Sequence, residues 1–99
     1  MAVAAYFAPK SMTKEQYLEI HRRLEAAGVG LSNQPGRLLH SCFGEEPQLQ
    51  VFDVWDSIEQ FQAFGEHLGP ILGEMGVDVG EPAVMPVQFI DQREIKGEF

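Results

Sequence analysis

Apolar residues run unbroken from Ala2 to Phe7 and stop before Pro9, so the first segment reads as a strand buried on both faces. The next apolar positions, Tyr17, Ile20, Leu24 and Ala27, recur at helical spacing. Thr13 and Gln16 frame the start of that helix as a capping box, each side chain meeting a backbone amide that the first turn leaves unpaired. Gly28 ends it where a left-handed residue is wanted, and turn formers follow from Gly30 to Gly36. "LLHSCF" (38–43) and "LQVFDVW" (49–55) are the second and third strands. The polar link Glu45 to Gln48 has hairpin length. Ser57 and Gln60 open a second helix whose apolar face is Ile58, Phe61, Phe64 and Leu68. Gly69-Pro70 predicts a break, with Pro70 opening a short further helix that stops at Gly76. Residues 82–90 form the last strand, and Pro86 inside it marks an edge or a bulge.

The order is strand, helix, strand, strand, helix, strand. Two right-handed strand–helix–strand units interleave into a four-stranded antiparallel sheet with both helices on one face, the ferredoxin-like βαββαβ sandwich. Residues 1–90 make one such domain, and 91–99 are a polar tail, frayed or laid across a neighbour. Every strand carries apolar residues on both parities, Val51 against Phe52 and Val54 for example, so the sheet face away from the helices is apolar too. Such a face is an association surface. A homodimer joined through the open sheet faces removes it from water.

Composition narrows the partners. A 99-residue chain with 44% hydrophobic and 22% charged residues is globular, and one this short gains from a partner subunit. Its net charge of −8 disfavours nucleic acid and anionic membranes, which need clustered Lys and Arg. One cysteine, Cys42, excludes an internal disulfide and a cysteine-based zinc site. The N-terminal apolar run is too short, and lacks the basic start, for a signal peptide. No apolar stretch approaches the roughly 20 residues of a membrane span. A cytoplasmic location is expected.

The best polar constellation comes from the hairpin register. If residues 44 and 49 pair, His40 lies directly opposite Asp53, with Cys42, Val51 and Trp55 on the same face. A carboxylate beside an imidazole fixes its tautomer and raises its basicity, as a general base requires. The same pair also serves as a purely structural contact, and a slip of one residue removes it altogether. His67, on the border of the second helix's apolar stripe, is a further catalytic candidate or a surface residue. His21 on the first helix reads as surface, and Cys42 as a small buried hydrophobe. Tyr6, Trp55 and Phe64 are the candidate ligand contacts, equally able to serve as core. The spacing of His21, His40 and His67 matches no metal motif, so neither a metal nor a cofactor is expected.

The stretch "VFDVWDSIEQFQAF" (51–64), a strand ending in Trp and passing at once into a capped aromatic helix, resembles the dimeric α+β-barrel superfamily. Within it the likeness is to small antibiotic-biosynthesis-monooxygenase-type domains and their uncharacterised bacterial relatives. The resemblance implies a pocket between sheet and helices that takes a small apolar or aromatic molecule. It implies either plain binding or cofactor-free monooxygenase or isomerase chemistry on an aromatic or ketone-bearing compound. In haem-degrading members a Trp ends the third strand, a His sits on the second helix and an Asn on the first strand. Trp55 matches the first and His67 the second loosely, but Tyr6 and Phe7 stand where the Asn would be, which disfavours haem degradation.

Overall fold

The computed structural model describes residues 1–31 and 33–92. The elements are β1 (Val3–Phe7), α1 (Lys14–Ala26), β2 (Arg37–Phe43), β3 (Gln50–Trp55), α2 (Ile58–Met75) and β4 (Ala83–Pro86). They build one antiparallel sheet in the order β2-β3-β1-β4, the ferredoxin-like arrangement, and residues 93–99 of the expected tail lie outside the described residues.

The local signals act as their chemistry requires. Thr13 and Gln16 close a reciprocal capping box at the start of α1, and Ser57 accepts from the Gln60 amide at the start of α2. Gly76 ends α2 at φ 69°, the left-handed region that favours glycine. Gly36, at φ 85°, opens β2, and its carbonyl accepts from the Asp56 amide at 2.7 Å, tying the corner after β3 to the start of β2. The loop before α1 is fastened to the hairpin tip, where the Met12 amide donates to Pro47 and the Leu49 amide to Met12.

Three features differ from the sequence reading. The helix α2 does not break at Gly69-Pro70 but runs through Pro70 to Met75. Proline forfeits the bond to the Glu66 carbonyl, yet Glu66, Gly69 and Pro70 are all exposed, so water can satisfy that group. Phe64 and Leu68 before the proline, and Ile71 and Leu72 after it, all pack on the core, which favours one continuous helix. The last strand, read over 82–90, is only Ala83–Pro86. Beyond Pro86 the Val87 amide still donates to the Ala2 carbonyl at 2.9 Å, and farther on the Gln92 side chain donates to the Leu38 carbonyl on β2 at 3.1 Å. Third, β2 carries a bulge between Arg37 and Leu39, so that these two residues face Trp55 and Val54 in turn.

The sheet has two unlike faces. On the helix side, Phe7, Val51, Asp53 and Trp55 meet Tyr17, Ile20 and Leu24 of α1 and Phe64 and Leu72 of α2. Trp55 has no exposed surface and packs its ring on Phe64 (5.0 Å between centroids) and Phe61 (6.0 Å). On the open side lie Tyr6, Leu39, Phe43, Phe52 and Met85, with Phe43 43% and Met85 59% exposed.

Candidate functional site

The hairpin has the register that brings His40 opposite Asp53. Asp53 sits mid-strand on β3, flanked in the sheet by His40 on one side and Ala5 on the other. Its carboxylate lies 2.6 Å from His40 Nδ1, with side-chain exposures of 3% and 15%, so the pair is removed from bulk water. A carboxylate only accepts, so Nδ1 carries a proton, and in the neutral form of the ring Nε2 is left as an acceptor. The Tyr17 hydroxyl lies 2.5 Å from that Nε2. The result is a directed chain, Tyr17 O–H to His40 to Asp53, running from α1 through β2 into β3. The Tyr17 and His40 rings lie parallel, 3° apart in plane.

This chain forms one wall of a cavity between the helices and the sheet. The remaining walls are apolar, chiefly Phe7, Met12, Ile20, Leu24, Phe64 and Leu72. The cavity offers about 50 Å³ to the centre of a water-sized molecule. At about 10–15 Å³ per water this holds roughly four waters, comparable to a single six-membered ring. Two further polar residues line it, His21 and Arg37. The His21 ring stands edge-on to Tyr17 at 4.4 Å and to His40 at 5.4 Å. Both its nitrogens are buried, and neither has a hydrogen-bond partner among the described residues. Burial pulls this imidazole down to about 4, with His40 and Arg37 adding to the effect, so it is neutral at pH 7. Burial pushes the Tyr17 phenol well above its ordinary value, Cys42 adding to this and Arg37 opposing it, which keeps the hydroxyl a donor. The Cys42 thiol is likewise raised by burial, in keeping with a packing role.

The candidate residues do not all converge. His40, Asp53 and Phe64 line the cavity, and Trp55 backs Phe64 from within the core as the corner residue of β3. Tyr6 belongs elsewhere. Alternation along β1 sends Phe7 to the helix side and Tyr6 to the open face, where its ring stacks with Phe43 and its hydroxyl donates to Gln50. His67 is exposed on α2, one position short of the buried stripe that Leu68 joins. Tyr17, His21 and Arg37 line the cavity, where Tyr6 and His67 were expected. Tyr17 was legible as a core-facing helix position, but nothing local indicates that its hydroxyl meets His40. Among the described residues, no group of three His, Cys, Asp or Glu could hold a metal ion. No helix there is long and apolar enough to cross a membrane.

Sequence comparison finds no matching family model and no matching curated protein. Comparison of folds is more informative. A structure from Caulobacter crescentus, assigned to the antibiotic-biosynthesis-monooxygenase type, superposes with a TM-score of 0.59 at 16% identity, over 91% of each chain. SnoaB, a cofactor-independent oxygenase from Streptomyces nogalater, gives 0.59 at 14% identity over 90% of this chain and 95% of its own. The fold is that of the antibiotic-biosynthesis-monooxygenase-type proteins. Rv0793 from Mycobacterium tuberculosis shares it more loosely, with a TM-score of 0.50 at 16% identity over 94% of this chain and 97% of its own. At these identities the likeness concerns the fold, and the site has to be argued from its own residues.

Proposed function

We propose that this protein binds a small, largely apolar ring compound in the cavity between sheet and helices, and that the Asp53–His40 pair takes a proton from it. The observation that carries this reading is the chain Tyr17–His40–Asp53 set in the wall of a largely apolar cavity. A ligand hydroxyl, or the acidic C–H beside a ketone, displaces the Tyr17 hydroxyl from Nε2 and gives its proton to that nitrogen. Asp53 holds the other ring nitrogen and stabilises the imidazolium that results. The ligand keeps the electron pair as a phenolate or enolate, and Tyr17, held protonated by burial, donates to the new oxyanion. That deprotonation is the opening step of cofactor-free oxygenation or of isomerisation, and SnoaB, of the same fold, is a cofactor-independent oxygenase. The working unit in this reading is a homodimer paired through the open face around Tyr6, Phe43 and Phe52, whose apolar surface favours association.

The test uses 4-nitrophenol, whose anion is yellow and whose neutral form is not. Slightly below its free midpoint, wild-type protein is expected to raise the yellow fraction on binding. His40→Gln and Asp53→Asn should bind the compound without that rise. Absence of binding, or an unchanged colour in the wild-type complex, refutes the reading. Sedimentation or native mass spectrometry checks the dimer independently, and a mass of one chain refutes that part alone.

A further inference from the structure

The bulge in β2 has a consequence for the cavity. Arg37 and His40 are three apart, and in a regular strand they would point to opposite faces. The extra residue resets the alternation, leaving Leu38 exposed and turning Arg37 to the side of its partner Trp55, which is the side of His40. A device that interrupts sheet pairing thus delivers a guanidinium to the wall of an apolar cavity. There it is half-buried, and among the described residues its side chain makes no hydrogen bond and no ion pair. Its nearest electrostatic neighbours are Asp53, Tyr17 and His21, and burial draws its ionisation down from the usual arginine range. The protein is not short of carboxylates, since Arg22 and Arg23 both pair with Glu19 on the surface. Among the described residues Arg37 pairs with none.

A half-buried guanidinium without a partner is costly, and its planar fork of donors matches a planar oxyanion. Beside it, the two partnerless nitrogens of His21 add one further donor, whichever carries the proton. We infer that the ligand is a single-ring compound bearing a carboxylate, which Arg37 grips by its guanidinium and His21 by its ring N–H, while the ring enters the apolar part of the cavity. Here Arg37 is a specificity-determining residue. Because the chain as a whole carries −8, a carboxylate ligand gains nothing from the general field and relies on this local grip. The assignment rests on the proposed function for the site, since it names the class of molecule that reaches His40.

The test titrates 4-hydroxybenzoate and its neutral relative 4-hydroxybenzamide, read calorimetrically and by the fluorescence of the sole tryptophan, Trp55. Wild-type protein should bind the carboxylate at least about tenfold more tightly than the amide, as a charge-assisted pair predicts. Arg37→Gln should abolish that preference while leaving amide affinity within about twofold, and Arg37→Lys should retain part of it. Equal affinity of the wild type for the two compounds overturns the inference, and that comparison needs no variant to fold. Preference surviving in a folded Arg37→Gln protein also overturns it. Amide binding that depends on His40, without carboxylate preference, refutes the anion site and leaves the proton-transfer reading intact. Failure to bind either compound removes both.

Discussion

Replacing His40 with leucine tests whether the pair at the centre of the site is coupled. The exposures of the ion pairs decide the expected size. Arg23 and Glu19 are 39% and 35% exposed, so their contact is worth about 0.3–0.5 kcal/mol. His40 and Asp53, at 15% and 3%, are a different case. His40→Leu strands a buried carboxylate and takes an acceptor from Tyr17, for an expected loss of about 3–4 kcal/mol. Asp53→Leu leaves a neutral, less deeply buried imidazole and should cost about 2 kcal/mol. The double variant removes both polar groups, so only the Tyr17 bond and some packing are lost, for about 1 kcal/mol. The coupling energy from the cycle is then about 4–5 kcal/mol. In melts followed by circular dichroism and Trp55 fluorescence, the His40 single variant should lose about 15–25 °C in Tm, and the double variant far less. Single losses below about 1 kcal/mol, or a double loss equal to the sum of the singles, would refute the claim that the pair is buried and mutually dependent.

Acid should weaken the fold through His21. The ring is neutral in the folded protein down to about 4, whereas in the unfolded chain it titrates near the ordinary histidine value of 6.5. Between those values the unfolded state binds more protons, so stability falls as pH drops through the window and this contribution is gone below about 4. The full linkage is about 3 kcal/mol, and nearer 1–2 kcal/mol once solvent screening of a half-buried ring is allowed for. The groups facing the ring are Tyr17 from α1, Arg37 and His40 from β2, and Asp53 from β3. Urea unfolding of His21→Leu should show a flatter pH profile than wild type, and an identical profile would assign the effect elsewhere. Pro70→Ala should restore the amide that donates to Glu66 within a continuous α2 and raise stability by about 1–2 kcal/mol. An unchanged Tm would mean that the helix breaks there. Phe43→Asp places a charge on the open face beside Tyr6 and should convert a dimer to monomers in sedimentation, leaving the fold intact by circular dichroism.

The signals readable in the chain were those whose causes are local. Capping at Thr13 and Ser57, the helix end at Gly76 and the hairpin length each depend on a few neighbouring residues, and the hairpin in turn placed His40 opposite Asp53. What could not be read depends on how elements meet. That Tyr17 reaches His40 depends on where α1 crosses β2, and the burial of His21 follows from the same crossing. Arg37 was hidden by the bulge, since simple alternation sends it away from His40. Tyr6 was misplaced for the opposite reason: β1 is apolar on both parities, so its pattern does not say which face meets the helices. At Pro70 the local penalty was real, but packing on both sides of it outweighed that penalty.

One consequence follows from the alternation of β3. Phe52 and Val54 point to the open face, while Asp53 and Trp55, interleaved between them, point to the cavity. Consecutive residues of this one strand thus serve the two faces. In the proposed homodimer a second copy would rest against Phe52, next in the strand to Asp53, and a ring lodged beside His40 would bear on the same strand from its other face. If the strand couples the two contacts, the proposed assembly and ligand capture strengthen one another by the same factor. Affinity for the small molecule should rise with protein concentration, so that dilution alone empties the cavity.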